Sequence, residues 1–220
     1  MPLYTAEALV LRTYKLGEAD RIVVFLTRDR GKKRGVAKGA RRPRSRFVGA
    51  LEPLTEVRVA YFEKERRELV GLNYAETVRS PLAGPAEAGD YDALGYVGYF
   101  AELLDEWAQE ADADDRLYRL GASMLDALGA GAPGEPLARY FEYWLLRLQG
   151  VYPEARGTLS DAAMAFLAAS RTVPPHRVGE VAADRRTLRE LENVHRALIA
   201  MHLEKTLKSD RVLRDLRRHA

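Results

Sequence analysis

The chain has 220 residues, 35 Lys and Arg against 32 Asp and Glu, and no cysteine. That length suits one moderate core or two small ones, at roughly 100–200 residues per domain. Without cysteine, disulfides, thiolate metal sites and cysteine nucleophiles are excluded. No apolar run approaches the roughly 20 residues needed to cross a bilayer, and Met1-Pro2-Leu3-Tyr4 lacks the features of a signal peptide, so a cytoplasmic protein, nucleoid-associated if it meets DNA, is expected.

The net charge of +3 conceals a partition, because residues 1–80 carry 18 basic side chains against 10 acidic, residues 81–135 carry 2 against 12, and residues 136–220 carry 15 against 10. A positive face that meets nucleic acid is implied, with a negative middle that repels it or meets a protein.

In chain order, Tyr4–Leu11, Ile22–Thr27, Lys33–Ala37, Val57–Phe62 and Leu69–Tyr74 read as five short strands. Asp29-Arg30-Gly31 supplies a hairpin turn with Gly where a positive φ is needed. Five strands in so short a span suggest a small closed barrel of the oligonucleotide-binding (OB) type. Ser80-Pro81-Leu82-Ala83-Gly84-Pro85 then breaks the pattern. The expected architecture is therefore α+β in two parts, an OB barrel at 1–80 and an all-α domain at 81–220.

Helical periodicity follows. Leu94, Val97, Ala101 and Leu104 repeat at three and four, with Trp107 widening the stripe. A second helix is expected at about 114–128, opened by carboxylates and stopped by Gly129-Ala130-Gly131, and a third at 136–148. Ser160 reads as the N-cap of 162–169, and Asp184 or Thr187 opens a long helix through Leu188, Leu191, Val194, Leu198 and Met201. Ser209 precedes a last short helix through Val212, Leu213 and Leu216.

Between Arg28 and Arg46 lie ten basic side chains and one acid, Asp29, interrupted by Gly31, Gly35, Gly39 and Pro43. This is a phosphate-binding surface in pattern. Lys32, Lys33, Arg34, Lys38, Arg41, Arg42 and Arg44 form the expected core of the site, with Arg46, Arg12 and Arg21 at its rim. Five engaged cations on single-stranded DNA would give a salt slope of about −3.5. Tyr14, Phe47, Tyr61 and Phe62 are available to stack on bases, although alternation can point only one of Tyr61 and Phe62 outward. Asp112, Asp114 and Asp115 read as helix-dipole partners rather than metal ligands, and Glu102, Asp105 and Glu106 as a solvated helix face. Docking of this acidic cluster on a basic partner surface is the minority alternative. His195 and His202 are two helical turns apart, about 10 Å, too far for one ion. No metal or cofactor is expected.

Three stretches together resemble the RecO family of DNA repair and recombination-mediator proteins. The first runs from Ala8-Leu9-Val10-Leu11-Arg12 through Gly17-Glu18-Ala19-Asp20-Arg21 and Phe25-Leu26-Thr27-Arg28-Asp29-Arg30-Gly31 to Val36-Ala37-Lys38-Gly39-Ala40-Arg41-Arg42-Pro43-Arg44-Ser45, followed by Gly49-Ala50-Leu51-Glu52-Pro53-Leu54. The second is Leu145-Leu146 to Gly150-Val151-Tyr152-Pro153, and the third Leu198-Ile199 to His202-Leu203-Glu204-Lys205-Thr206-Leu207-Lys208-Ser209 with Val212-Leu213. Many relatives follow the Gly-x-x-Pro segment with a four-cysteine zinc module, and here Tyr152-Pro153-Glu154-Ala155-Arg156 leads on without one, with packing of 162–169 as its possible replacement.

The resemblance implies a recombination mediator, without a catalytic residue, that binds single- and double-stranded DNA, anneals complementary strands, works with RecR, contacts the C-terminal tail of single-stranded-DNA-binding protein, and indirectly helps RecA load. That tail is acidic and ends in an apolar residue, so its receptor needs an apolar notch with cations. Arg139, Arg147, Arg196, Lys205 and Lys208, beside Leu145, Leu198 and Leu203, are the candidates. The alternatives are an RNA-binding OB module of RNA metabolism and a nuclease using the carboxylates of 102–115.

Overall fold

Short apolar-rich runs recur along the first 80 residues, and each of the five forms a strand whose inward set fills one barrel. The computed structural model describes residues 2–63, 68–81, 91–153, 159–205, 207–209 and 212–213. Most of the expected linker (Leu82 to Pro85), the stretch Glu154-Ala155-Arg156, Thr206, and Leu216 of the last expected helix lie outside the described residues.

The strands are β1 (Leu3–Leu16), β2 (Asp20–Thr27), β3 (Gly31–Ala37), β4 (Glu56–Phe62) and β5 (Val70–Arg79). They close in the order β1-β2-β3-β5-β4, with β4 returning to β1. The β3–β5 pairing is parallel and the other four are antiparallel. This is the expected OB barrel. Its interior holds Ala6, Ala8 and Val10 of β1, Val23 and Phe25 of β2, Ala37 of β3, Val57, Val59 and Tyr61 of β4, and Val70, Leu72 and Ala75 of β5. Burying each large side chain of this set contributes about 1.5–3 kcal/mol.

The β2–β3 hairpin turns where the sequence placed it. Gly31 has φ +67 and has backbone of Asp112 within 2.3 Å of where a Cβ would sit. The Thr27 hydroxyl locks the turn, accepting from the Arg30 amide at 3.0 Å and donating to the Gly31 carbonyl at 2.8 Å.

One irregularity reorganises β1. Val10 pairs with Phe25 and Arg12 with Val24, leaving Leu11 as an extra residue. Such a bulge reverses the inside–outside phase of everything after it. Ala6, Ala8 and Val10 point inward, and beyond the bulge Thr13 becomes the neighbour of inward-facing Val23. Arg12, Tyr14 and Leu16 are thereby turned to the outer face.

The helices are α1 (Tyr91–Trp107), α2 (Asp115–Gly129), α3 (Gly134–Leu148), α4 (Asp161–Ala169) and α5 (Arg185–Leu203), with a 3-10 turn at Pro175–Glu180. The chain divides into two compact units, residues 1–83 with 97–125, and residues 84–96 with 126–220. The barrel therefore shares its unit with the second half of α1 and most of α2. Gly121 marks how closely they pack, because a Cβ there would lie 2.7 Å from both Leu104 and Leu9. The Asp114 carboxylate accepts from the Arg116 and Leu117 amides at 3.0 Å each, the expected use of an acid at the positive end of α2.

In the other unit α3 packs against α5 and the 3-10 turn, and α4 against α5. Ser160 caps α4 by accepting from the Ala163 amide, and Asp184 caps α5 by accepting from Thr187 at 2.7 Å. Each such cap contributes about 1 kcal/mol. Pro133 precedes α3, and Gly134 stands where a Cβ would enter the Tyr96 ring.

Candidate nucleic-acid interface

The basic run is divided by its neighbours into two parts of opposite character. The first part is paired. Arg28 Nε donates to Asp115 at 2.8 Å and its Nη1 to Glu7 at 3.3 Å, and these two carboxylates hold its guanidinium above its ordinary pKa. Lys32 Nζ donates to the Asp105 carbonyl at 2.6 Å and lies 3.4 Å from its carboxylate. Lys33 Nζ donates to Glu63 at 2.8 Å. Arg30 lies 4.3 Å over the Tyr4 ring and 3.5 Å from Asp29.

Main chain reinforces this docking. The Lys32 amide donates to the Gln109 carbonyl at 3.0 Å, and the Ala111 amide to the Lys32 carbonyl at 3.4 Å. The segment after α1 therefore runs along the start of β3 as a short parallel bridge, Lys32 to Glu110.

Arg12 belongs to the paired set although it lies on another strand. Its Nη2 is 3.1 Å from Asp105 and 3.8 Å from Glu106, and its Nη1 donates to the Tyr14 hydroxyl at 3.3 Å. Burial works against this charge, but the Tyr14 and Asp105 contacts outweigh it and raise the guanidinium's pKa. Asp105 thus serves two barrel cations. The expectation of a solvated face at Glu102, Asp105 and Glu106 is corrected here, since side-chain exposure at Asp105 is 13% and at Glu106 18%.

The second part is open. Arg34, Lys38, Arg42 and Arg44 are exposed, and their side chains make no hydrogen bond or ion pair among the described residues. Arg46 is exposed and stacks 5.2 Å over the Phe47 ring. Arg41 is exposed too, but its Nη1 is tied to the carbonyls of Gly17 at 3.1 Å and Glu18 at 2.9 Å, so it clamps the β1–β2 turn while keeping its charge. Arg21, half-buried, donates to Thr13 at 3.4 Å.

The 38–54 loop is held at both ends. The Gly39 amide donates to the Asp20 carboxylate at 2.7 Å, and the Arg41 amide to the Ala19 carbonyl at 2.9 Å. Phe47, Ala50 and Leu51 then plug into the barrel core. Successive turn bonds, Ala40 to Ala37, Arg42 to Gly39, Ser45 to Arg42 and Val48 to Ser45, fix its path.

Burial sorts the four aromatic candidates. Phe47 and Tyr61 are core residues at 2% and 0% exposure, and burial pushes the Tyr61 phenol up to about 12. Phe62 is half-buried, and Tyr14 stands out at 43%.

The five cations expected to meet a protein partner also separate. Arg139 is 2% exposed and donates to Glu142 at 2.7 Å, with Glu192 at 3.6 Å. Burial leaves it no surface to offer. His195, fully buried, lies 2.9 Å from Glu142 through Nδ1 and 3.3 Å from the Tyr152 hydroxyl through Nε2. Those partners assign the proton to Nδ1, since the carboxylate can only accept. Burial, with Tyr143 and Glu142 nearby, pushes the Tyr152 phenol up to about 12. Arg196 is half-buried and paired with Glu192, and Lys205 and Lys208 are exposed.

Arg147 is exposed and edges a pocket of about 510 Å³ lined by Tyr143, Tyr152, Leu159, Met164, Leu167 and Arg171, among others. Its Nη1 donates to the Tyr143 hydroxyl at 3.1 Å, and its guanidinium lies 5.6 Å over that ring. Arg171 was not among the expected residues. Its one sequence signal is its place just past α4, whose Met164, Leu167 and Ala168 line the same pocket.

Among the described residues no cluster of His and carboxylates could hold a metal ion, and no helix is long and apolar enough to cross a membrane.

Comparison with known proteins agrees with this fold. Residues 1–81 match the family model for the recombination protein O N terminal region and residues 88–156 the model for the recombination protein O C terminal region. The DNA repair protein RecO of Koribacter versatilis is 42% identical over 152 residues, covering 69% of this chain and 61% of that protein. The protein of the same name from Anaeromyxobacter sp. strain K is 40% identical over 145 residues, covering 66% and 56%. That of Bifidobacterium adolescentis is 47% identical over 133 residues, covering 60% and 52%. The alignments thus span just over half the length of these relatives.

Proposed function

Because the chain belongs to the RecO family, we propose that it is a recombination mediator of DNA repair that binds single- and double-stranded DNA and anneals complementary strands. With RecR, it assists RecA loading onto DNA covered by single-stranded-DNA-binding protein. The observation that carries the reading is the exposed, anchored set Arg34, Lys38, Arg42, Arg44 and Arg46, left without carboxylate partners among the described residues while Arg12, Arg28, Lys32 and Lys33 are each neutralised.

Annealing needs phosphate repulsion screened while base edges stay free to pair. A shallow row of cations on a held loop meets that requirement better than a deep pocket. Five engaged cations give a salt slope of about −3.5 on single strands, measurable by titrating binding against salt. In this reading no bond is made or broken, so the protein is not an enzyme.

The acidic, apolar-ended tail of single-stranded-DNA-binding protein finds a suitable receptor in the pocket between Tyr143, Leu167 and Met164, with Arg147 and Arg171 placed to pair with its carboxylates. The deciding experiment is strand annealing of complementary oligonucleotides precoated with that protein, with and without RecR. Acceleration by the chain, strengthened by RecR, is expected. Absence of annealing together with a strong preference for RNA in filter binding would favour the RNA-binding reading instead.

A further inference from the structure

Cross-strand pairing sets several outward residues of the barrel in one row. Tyr14 lies opposite Ile22, Ile22 opposite Val36, and Val36 beside Gly71. Residues directly paired across strands share a face. The face is the outer one, because the neighbours Val23, Ala37 and Leu72 are core. Tyr14 and Gly71 are exposed, Ile22 and Val36 are half-buried, and the space a Cβ would take at Gly71 is open. The next row is Arg12, Val24 and Arg34, and in it Arg34 is exposed without a partner among the described residues.

Tyr14 is also positioned. Asp105 and Glu106 hold Arg12, which donates to the Tyr14 hydroxyl at 3.3 Å. A phenol held by its oxygen keeps its ring direction, and Tyr14 remains 43% exposed. The result is an exposed aromatic ring beside half-buried Ile22 and Val36 and the open Gly71, with an unneutralised guanidinium one row away.

We propose that this row is a nucleobase-stacking site for single-stranded DNA, with Tyr14 as the platform and Arg34 as the adjacent phosphate contact. The inference rests on the DNA-binding reading above and adds to it the part that engages bases. A charged loop alone cannot tell an exposed base from its absence. Stacking on an aromatic does, and it tolerates every base because each presents a π face.

The test is binding of the 220-residue chain to a fluorescent oligothymidine and to an abasic oligonucleotide of equal length. Tyr14→Ala should weaken binding to oligothymidine about tenfold, within the range seen for loss of one stacking platform, and leave abasic binding within twofold. Tyr14→Phe should stay within about threefold of the parent, and Gly71→Leu, which fills the floor, should behave like Tyr14→Ala.

Unchanged oligothymidine binding in Tyr14→Ala, or equal loss on both oligonucleotides, overturns the stacking site while the salt slope still supports the loop. A parent chain that binds neither oligonucleotide overturns both. A dimer in sedimentation that Tyr14→Ala dissociates would assign the row to contact between copies and also overturn the proposal.

Discussion

The start of β3 and the loop that follows it carry the same kind of residue for opposite purposes. Lys32 and Lys33 are held by Asp105 and Glu63 and are at most 18% exposed, whereas Lys38, Arg42 and Arg44 stand in solvent on an anchored loop. A cation already paired has little to gain from a phosphate, because binding must first break the pair. One without a partner keeps its full interaction for the ligand. Basic residues therefore report a nucleic-acid surface only after the protein's own carboxylates have been subtracted.

The largest effect should come from the most deeply buried of the paired cations. Arg139→Ala leaves Glu142 buried beside His195 without its guanidinium, and breaking such a pair costs about 3–5 kcal/mol. Chemical denaturation should show that loss, with DNA affinity per folded molecule unchanged. At the opposite pole, reversing Lys38, Arg42 and Arg44 together to Glu should lower single-strand affinity about a hundredfold at low salt and shrink the salt slope by about 2. The melting temperature should hardly move, since exposed substitutions shift stability by less than about 0.5 kcal/mol each. Unaltered affinity would place the site elsewhere.

Asp105→Asn sharpens the contrast from the acidic side. It removes the carboxylate shared by Arg12 and Lys32 and should cost roughly 1–2 kcal/mol, while DNA affinity rises by no more than a few-fold. A large gain would mean that pairing by α1 masks a real part of the DNA surface.

The smallest effect is a pH dependence in the same unit. Glu56, 7% exposed, accepts from Arg79 at 2.5 Å and from the Tyr118 hydroxyl at 2.8 Å. Burial alone would raise its pKa, but these two bonds outweigh that and hold it below its ordinary 4.5. A carboxylate so depressed stabilises the fold fully above 4.5, and the contribution disappears as the pH falls through the lower folded value. Glu56→Gln should therefore lower stability at pH 7 and flatten its decline below pH 5. An equally steep decline in the variant would refute the assignment.

Much is legible in the sequence alone. The Gly31 turn and the Ser160 and Asp184 caps rest on interactions within a few residues, and the five strands show as short β-rich runs, all of which local residue types report directly. The family resemblance was legible for the same reason, being carried by runs of contiguous residues. Long-range choices were not. The Asp105 bond to Lys32 joins residues 73 positions apart and depends on where α1 lies along the barrel.

Tyr14 is the sharpest case. Continued alternation from Ala6, Ala8 and Val10 would have turned it inward, and the single extra residue at Leu11 turns it out. Arg139 is the converse, a basic residue on an amphipathic helix that periodicity leaves at the surface until Glu192 and His195 of α5 close over it.

Read alone, the chain specified its strands, its caps, its charge distribution and its kinship, because those follow from neighbours in sequence. Which cations remain available and which aromatic ring faces solvent depended on packing. Pairing and burial are set by side chains that approach from distant segments, and a charge or a ring has no function until those contacts are counted.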